Sequence, residues 1–440
     1  MADRHRRALP RRRARRHRAD RPGGGPQRPR RARRAQGRPR VLLPVPRRRR
    51  GLPGRAHPHG ARRLVDEPAD DVLRVLLAVR ARLVHRLPAP GGRRAGPRAA
   101  PGRLLLRVHG AGLRRARRQR ARPRRPGDRD ARELPPAPRP VQDRRDLQAA
   151  HSVAPWLVVW DDHEVDNNWA DEVYEDPQIP QPNFRERRAA AFRAYWENMP
   201  LRAAQRPRGI EMPLYRRVGW GGMANFHMLD TRQYRSDQPC GDDFNSDCAE
   251  RTDPAASLPG SRQERWISDG FHRSNARWDV LGQQVFFSQV DFTPGPGRGF
   301  NVDAWDGAPA SRDRVVDAWV NAKARNLVVL TGDVHASWAA DVKKRFDDPE
   351  APVVGTELVS TSVTSGGDGS EVRPDTAATL ADNPHIRFYN NRRGYVRTRI
   401  TATELTADFR TVPYVKQPGA PVETKATFVV EDRRPGLNPV

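Results

Sequence analysis

A run of acidic and amide side chains follows a short apolar segment near the middle of the chain. Residues 156–160 read Trp-Leu-Val-Val-Trp, and residues 161–168 read Asp-Asp-His-Glu-Val-Asp-Asn-Asn. Carboxylate and amide oxygens are the ligands that hard cations prefer, and a cation offsets the repulsion between like charges that are removed from water. A solvated acidic turn is the alternative interpretation. The embedded histidine and the preceding apolar segment favour a metal site.

A second polar segment, Gly-Asp-Val-His at 332–335, follows the apolar residues 326–330. In extended backbone alternate residues project to the same side, so Asp333 and His335 could chelate one ion. This tetrapeptide is common, so by itself it is only weak evidence for a metal site. If both apolar segments are strands of one sheet, their carboxyl ends bring the two polar loops together. The two segments together predict a metal-dependent hydrolase.

Arginines and cysteines supply two further candidates. Arg232 and Arg235 lie in Leu-Asp-Thr-Arg-Gln-Tyr-Arg at 229–235, and planar guanidinium groups match phosphate oxygens in two-point contacts. The alternative is that either arginine pairs with a surface acid. Cys240 and Cys248 are the only cysteines, and they suit a disulfide in an exported protein or free thiols in a cytosolic one. No histidines accompany them as in a zinc knuckle, so we expect no metal role there.

The apolar segments that end in polar loops predict buried strands. Residues 280–287 predict a third strand, and residues 185–198 predict a helix that ends before Pro200. Three segments rich in β-branched residues predict further strands at 354–362, 395–400 and 427–430. We therefore expect an α+β domain built on sheets, not a helical bundle.

The positive charge is confined to one end of the chain. The 440 residues carry a formal net charge of +29, yet residues 1–150 hold 46 Arg, no Lys and 11 acidic residues, whereas residues 151–440 hold 35 basic and 41 acidic residues. Clustered arginines suit a nucleic-acid partner because they neutralise phosphates. A nucleic-acid-binding protein with a genuine Arg-rich arm is therefore the alternative function.

The composition of this basic region is unusual. Between Met1 and Ser152 there is no Ser, Thr, Asn, Lys, Ile, Phe, Tyr, Trp or Cys, and every residue from 2 to 151 can be encoded by a codon that begins with C or G. We infer that about residues 1–144 are an out-of-frame translation of a GC-rich gene, and we expect this segment to be disordered. A genuine Arg/Pro/Gly-rich disordered tail is the alternative. One domain, residues 145–440, would then remain.

Three further features of residues 1–144 bear on function. Read one base forward, the codons of residues 102–109 can spell Gly-Asp-Phe-Phe-Tyr-Glu-Tyr. The segment 71–79 is mostly apolar, but it is too short to span a bilayer and its flanks are charged. No apolar segment of secretory-signal type follows the opening arginines. We therefore expect no membrane span, and no signal peptide is readable.

Five motifs in order resemble the PhoD-like alkaline phosphatases of the metallophosphoesterase superfamily, from about residue 146 to the C-terminus. They are Trp-Asp-Asp-His-Glu-Val-x-Asn-Asn at 160–168, Leu-Asp-Thr-Arg-Gln-Tyr-Arg at 229–235, Gln-Glu-Arg-Trp at 263–266, Asp-Ala-Trp-Asp-Gly at 303–307 and Gly-Asp-Val-His at 332–335. The resemblance implies a two-sheet β-sandwich flanked by helices. It also implies hydrolysis of small-molecule phosphate mono- or diesters, Ca²⁺ and Fe³⁺ as cofactors, and export from the cell.

The resemblance also assigns roles to single residues. It implies metal ligation by Asp162, Asn168, Asp333 and His335. His163 would stand near the leaving group, and Arg232 is a candidate for contact with the phosphate.

One part of the family pattern is missing. The family's first metal-binding segment, with its Cys and its Gly-Asp-x-x-Tyr type motif, should lie upstream of residue 145 and is absent. We therefore expect an incomplete domain without its first strands, and little or no activity from the chain as written. A catalytically dead phosphatase-like binding module is a third interpretation. No specific nucleic-acid partner is expected, and the oligomeric state stays open.

Overall fold

The structure, a computed structural model, describes residues 145–440 except 177, 242, 243 and 247, together with the backbone of residues 73–79 and 103–108. The strands are β1 (Leu73–Val79), β2 (Arg103–Val108), β3 (Trp156–Val159), β4 (Arg216–Trp220), β5 (Ala224–Met228), β6 (Phe244–Asn245), β7 (Trp278–Gly282), β8 (Phe300–Asn301), β9 (Leu327–Thr331), β10 (Ser337–Lys343), β11 (Val353–Val359), β12 (Ile386–Asn390), β13 (Arg393–Ile400), β14 (Glu404–Val412), β15 (Glu423–Glu431) and β16 (Arg434–Pro439). The helices are α1 (Arg145–Ser152), α2 (Phe184–Asn198), α3 (Ser261–His272), α4 (Pro309–Ala322) and α5 (Thr376–Asp382).

The first large sheet has the strand order β16-β15-β14-β13-β1-β2-β3. Strands β1, β2 and β3 run parallel, and Val79, Val108 and Val159 are aligned across them. The carboxyl ends of these three strands therefore lie side by side at one edge of the sheet. Trp160 directly follows the third of them, and the acidic run begins at the next residue.

The second large sheet has the order β12-β10-β11-β9-β7-β5-β4. Its central strands β11, β9, β7 and β5 are parallel. Strand β9 ends at Thr331, immediately before the second polar segment, and β5 ends at Met228, immediately before the segment that contains Arg232. Three candidate segments thus leave the carboxyl ends of strands.

Two hydrophobic clusters hold the layers together. In the first, Val158 and Phe409 of one sheet pack in the same cluster as Phe226 and Val328 of the other. The neighbouring residue Val329 belongs to the second cluster, because successive side chains of a strand point to opposite faces. That second cluster also contains the buried apolar side chains of α3 and α4. The architecture is therefore two packed sheets flanked by helices, as the sequence and the resemblance predict.

Helix α2 shows how local sequence produces this packing. Its buried residues Phe184, Arg188, Phe192 and Tyr195 recur at helical spacing and form one face. Phe192 stacks on Trp160, with ring centroids 4.2 Å apart. The helix ends at Asn198 before Pro200, whose ring would clash with a continuing helix. The aromatic face thus covers the residue that leads into the acidic run.

Most predicted elements are present, with one shortened strand. The strand predicted at 280–287 ends at Gly282. The next two residues, Gln283 and Gln284, are buried, and their side-chain amides donate to Thr331 Oγ1 at the end of β9 and to the carbonyl of Leu229. Side-chain hydrogen bonds therefore supplement the backbone bonds that still join Gln283 and Gln284 to the end of β9, where the regular strand stops.

The structure adds three facts about expectations that the sequence left open. Cys240 and Cys248 form a disulfide. No helix among the described residues is long and apolar enough to cross a bilayer. Strands β1 and β2 fall within residues 1–144, whereas the rest of that segment, including the ends of the 102–109 segment, lies outside the described residues. Disorder of the rest of residues 1–144 and a domain boundary at 145 stay predictions.

Candidate active site

Asp162 is held in a tight turn directly after β3. Its carboxylate accepts backbone N–H bonds from His163 at 2.7 Å and from Asn168 at 3.1 Å. Its carbonyl oxygen accepts the N–H groups of Val165 and Asp166. The side chain is almost fully buried. This turn explains why acidic and amide residues follow the strand, since Asp side chains readily bond the backbone a few residues ahead.

Asp161 belongs to a buried ion-pair network. Arg232 donates from Nε to Asp161 Oδ1 at 2.9 Å, and its two Nη atoms donate to the two carboxylate oxygens of Asp303 at 2.7 and 2.8 Å. Arg235 donates to the same Asp303 at 2.9 Å. Arg232 is 0% exposed. Both arginines pair with a buried acid, and the geometry does not favour direct contact between Arg232 and a phosphate.

The end of β9 has a different backbone from the one predicted. Asp333 and His335 have φ values of 67° and 53°, so the expectation of extended backbone is wrong. The N–H of Val334 bonds back to the carbonyl of Gly332 at 2.9 Å. This hydrogen bond closes a turn and rules out the strand-like alternation between residues 333 and 335.

The two polar loops nevertheless come together. The negative charges of Asp162 and Asp303 act on Asp333, which also shares a hydrogen bond with Asp161. The charges of Asp162 and His163 both act on His335. The structure thus brings together most of the predicted site residues. Asn168 is linked to this group by the hydrogen bond from its backbone N–H to Asp162.

Burial and mutual repulsion shape the proton affinity of this cluster. Burial, and then the negative charges of Asp162 and Asp303, raise the pKa of Asp333 to about 7. Burial also raises the pKa of Asp161 well above its usual range, although Arg232 opposes the effect. A hydrogen bond between two carboxyl groups requires a proton on one of them. Asp161 and Asp333 therefore share a proton when no cation offsets their charges.

This shared proton predicts a pH-dependent stability of the metal-free protein. The folded state binds the Asp333 proton more tightly than the unfolded chain, whose aspartates have a pKa near 3.8. The free energy of unfolding should therefore fall as the pH rises from about 4 to about 7, by on the order of 2 kcal/mol between about pH 5 and pH 8. Urea titrations in the presence of a chelator measure this. The variant Asp333→Asn should make the free energy of unfolding less dependent on pH, whereas the exposed control Asp269→Asn should not. An unchanged pH dependence in Asp333→Asn would contradict the assignment of the raised pKa to Asp333.

The ion-pair network makes a second prediction. Arg232→Gln leaves Asp161 and Asp303 buried without their main counter-charge, so it should lower the free energy of unfolding by about 3–5 kcal/mol. The matched control is Arg265→Gln, which removes an exposed arginine of α3. Urea unfolding of both variants provides the measurement. A fully stable Arg232→Gln protein that has lost affinity for phosphate would instead support direct phosphate contact.

Other members of the acidic run hold the loop in place. Glu164 accepts the backbone N–H of Asp161, and Asp166 pairs with Arg187 at 2.9 Å. Asn167 donates to Glu175 at 2.7 Å. Some residues of the acidic run, such as Asp161 and Asp162, therefore belong to the carboxylate cluster. The others form hydrogen bonds and an ion pair that hold its loop against the surrounding structure.

Sequence reasoning underrated two buried residues. Asp303 was recognised only as part of a motif, although it receives N–H groups from Arg232, Arg235 and Gln238. Burial would raise the pKa of Asp303, but the positive charges of Arg232 and Arg235, together with these bonds, lower it to about 2. Arg393, at the start of β13, was not recognised as a neighbour of the site.

Arg393 affects the site through His335. Burial, and then the positive charge of Arg393, lower the pKa of His335. Arg393 itself bonds Ser362 Oγ at 2.8 Å and Ser365 O at 2.6 Å. The sequence signal for this arrangement is the segment Thr-Ser-Val-Thr-Ser-Gly-Gly-Asp-Gly at 361–369, which follows β11. The arrangement keeps His335 neutral, which is the form that can ligate a metal.

The residues that the structure describes do not by themselves enclose a metal ion. Within 145–440, apart from the four omitted positions, no group of three or more His, Cys, Asp or Glu side chains is arranged to hold one. The chemistry of the donors nevertheless suits a cation, because the buried carboxyl groups of Asp161, Asp162 and Asp333 repel one another and need a counter-charge. The arrangement therefore fits part of a metal site.

The fold and the site agree with a comparison against protein families. The model of the PhoD-like phosphatases matches residues 140–409. This chain therefore belongs to the PhoD-like phosphatase family, as the five motifs indicated, and that family is in general metal-dependent.

Individual relatives extend the comparison. Alkaline phosphatase D of Bacillus subtilis (strain 168) is 45% identical over 294 residues, which cover 67% of this chain and 50% of the relative. A solved structure described as "Structure of PhoD" matches with a TM-score of 0.65 and 44% identity, covering 67% of this chain and 56% of that one. The chain thus spans about half the length of the curated relative it matches.

Proposed function

We propose that this domain, with its upstream segment in the correct frame, hydrolyses phosphate mono- or diesters with the help of bound metal ions. The observation that carries the proposal is the convergence of the Asp161, Asp162 and Asp333 carboxyl groups with His335 at the carboxyl ends of β3 and β9. Such a concentration of buried negative charge requires a cation or protons. At alkaline pH protons are scarce, so metal ions are the effective counter-charge.

Asp162, Asn168, Asp333 and His335 are the proposed metal ligands. They supply oxygen atoms and one imidazole, a set that suits the Ca²⁺ and Fe³⁺ proposed from the family resemblance. When bound, such metals polarise phosphoryl oxygens and lower the pKa of a water molecule.

The remaining ligands would come from the strands beside β3. Strands β1 and β2 end next to Val159, but residues 72–127 contain no Asp, Glu or Cys. The chain as written therefore has nothing at these two strand ends that resembles the oxygen or sulfur ligands of the site. This gap supports the proposal that the upstream segment is read in the wrong frame and that the polypeptide is inactive or nearly so.

The protein side chains have distinct proposed roles. His163 is partly exposed, and its Nε2 lies 3.9 Å from Asp162 Oδ2, which allows it to hold a proton for the leaving-group oxygen. We assign Arg232 a positioning role, because it orients Asp161 and its positive charge offsets part of the negative charge of the carboxylate cluster. The Cys240–Cys248 disulfide supports export, because disulfides persist in oxidising compartments.

The test is hydrolysis of p-nitrophenyl phosphate and bis(p-nitrophenyl) phosphate by the frame-restored protein at alkaline pH. We expect release of nitrophenolate from at least one ester. Treatment with EDTA should lower the rate by at least about 100-fold, and adding metal back should restore it. Hydrolysis that survives complete metal removal would contradict the proposal, as would the absence of hydrolysis from a folded, metal-loaded protein.

A further inference from the structure

A groove of about 920 Å³ lies beside the segment that supplies Arg232 to the site. Its lining includes Arg206, Arg208, Arg262, Glu211, Tyr215 and Tyr234. None of the residues assigned above to metal ligation or proton transfer lines it. The groove is therefore a separate feature of the surface.

The charge of the groove is opposite to that of the domain around it. Residues 151–440 hold more acidic than basic residues, yet the groove has three arginines against one glutamate. The three arginines are exposed, and no carboxylate among the described residues forms an ion pair with Arg206, Arg208 or Arg262. Their charges are thus available to a ligand, and an anion in the groove would meet a local positive potential.

The loop that carries two of these arginines is held in a defined shape. The backbones of Arg208 and Glu211 exchange hydrogen bonds of 2.8 and 3.2 Å. Gly209 sits in this turn with a φ of 63°, a conformation that favours glycine. Arg206 lies over the Trp196 ring, 5.6 Å from its centroid. These contacts fix the backbone around Arg208 and place the Arg206 guanidinium against the Trp196 ring before any ligand binds.

The aromatic wall of the groove is equally fixed. Tyr215 packs edge-on against Tyr234 at 5.8 Å and against Trp266 at 5.1 Å. Gly260 lies so close to Tyr234 that a Cβ there would be 2.7 Å from the tyrosine Cβ. Burial raises the pKa of Tyr234, so the hydroxyl remains a neutral donor at alkaline pH. Such a wall suits a ring or carbon skeleton next to an anionic group.

Short hydrogen-bonded links connect the groove to the carboxylate cluster. The backbone of Met212, in the groove wall, exchanges hydrogen bonds of 3.0 and 2.8 Å with the side chain of Gln233. Gln233 adjoins Arg232, which contacts Asp161, and Tyr234 of the groove follows directly. One segment of chain therefore forms part of both the groove and the site.

We propose that this groove binds a second phosphate-type oxyanion, at a distance from the scissile phosphate and carried on the same substrate. The statement that both phosphates belong to one substrate rests on the proposed function. The anion site itself is argued only from the residues of the groove. Arg208 and Arg262 contact the oxyanion, and the tyrosines contact the skeleton that links the two phosphates. Free inorganic phosphate has the same chemistry and could occupy the same position, so the test must separate these two sources.

The first arm measures binding to the chain as written. The probes are thymidine 3′,5′-bisphosphate, thymidine 5′-phosphate and inorganic phosphate, titrated calorimetrically in low salt. The double variant Arg208→Gln/Arg262→Gln should lose about 10-fold in affinity for the bisphosphate, with a smaller loss for the monophosphate. The control Arg399→Gln, which removes an exposed arginine of β13, should bind like the parent chain. Added salt should weaken binding to the parent chain more than to the double variant.

The second arm measures turnover by the frame-restored protein. The p-nitrophenyl ester of thymidine 5′-phosphate is compared with the same ester that carries an additional 3′-phosphate. The added phosphate should lower KM by about 10-fold in the parent and by much less in the double variant, with kcat similar throughout. A simple structural role of the arginines would not produce a change that depends on the 3′-phosphate.

The outcomes separate the two claims. Arg208- and Arg262-dependent binding of the bisphosphate without any hydrolysis would support the anion site and count against the proposed function. Hydrolysis with the same KM for both esters, and equal affinities for parent and double variant, would overturn the anion site and leave the function standing. Tight binding of inorganic phosphate without a gain from the 3′-phosphate would overturn the substrate assignment in favour of free phosphate.

Discussion

Restoring the reading frame upstream of residue 145 is expected to raise the rate of aryl phosphate hydrolysis by more than about 100-fold over the chain as written. The reason lies at the carboxyl ends of β1, β2 and β3, which are aligned at Val79, Val108 and Val159. Only the third strand leads into carboxylates, because residues 72–127 contain no Asp, Glu or Cys. Loss of supporting residues alone costs roughly 10–100-fold at metal sites, so loss of direct ligands should cost more.

The comparison has a matched control, since both proteins share residues 145–440. Rates are measured with p-nitrophenyl phosphate at equal protein and metal concentrations. Asp333→Asn introduced into the frame-restored protein should bring its rate down towards that of the chain as written. Equal rates from the two parent proteins would mean that the upstream segment supplies no ligands, and the inferred frame error would lose its functional support.

Removing either proposed ligand after β9 is expected to have the second largest effect. In the frame-restored protein, His335→Gln and Asp333→Asn should each lower kcat by about 100-fold or more and reduce the amount of tightly bound metal. Gln retains hydrogen-bonding capacity but lacks the imidazole lone pair. Asn at position 333 removes the negative charge that a cation would offset.

Stability separates a ligand from a structural residue. Burial raises the pKa of Asp333, so its ionised form is unfavourable in the metal-free fold. Asp333→Asn should therefore leave the unfolding midpoint of the metal-free protein unchanged or slightly higher. His272→Gln and Asp269→Asn replace exposed residues of α3 and serve as controls for general damage. Full metal content and near-normal rates in His335→Gln would show that residues 332–335 are scaffold.

The sequence predicted strand positions well because apolar periodicity reflects burial. The strands predicted at 156–160 and 326–330 are found at Trp156–Val159 and Leu327–Thr331. Burial of these residues in the two hydrophobic clusters leaves little alternative to a strand that ends where the polar residues begin. The convergence of the two polar loops followed from that placement.

Features that depend on contacts distant in sequence were not predictable in the same way. Arg232 lies 71 residues from both Asp161 and Asp303, and nothing in its local motif distinguishes a buried ion pair from a phosphate contact. The positive φ values at Asp333 and His335 were missed because neither residue is a glycine. Only tertiary packing imposes such a backbone on residues with a side chain.

The number of metal ions bound to the frame-restored protein tests the central claim most directly. The claim is that the buried carboxylates after β3 and β9 form one half of a metal site whose other half is encoded upstream. Elemental analysis of the purified, buffer-exchanged protein should find about two tightly bound ions per chain, and clearly fewer in the chain as written. A frame-restored protein that hydrolyses phosphate esters while holding no stoichiometric metal would contradict this account.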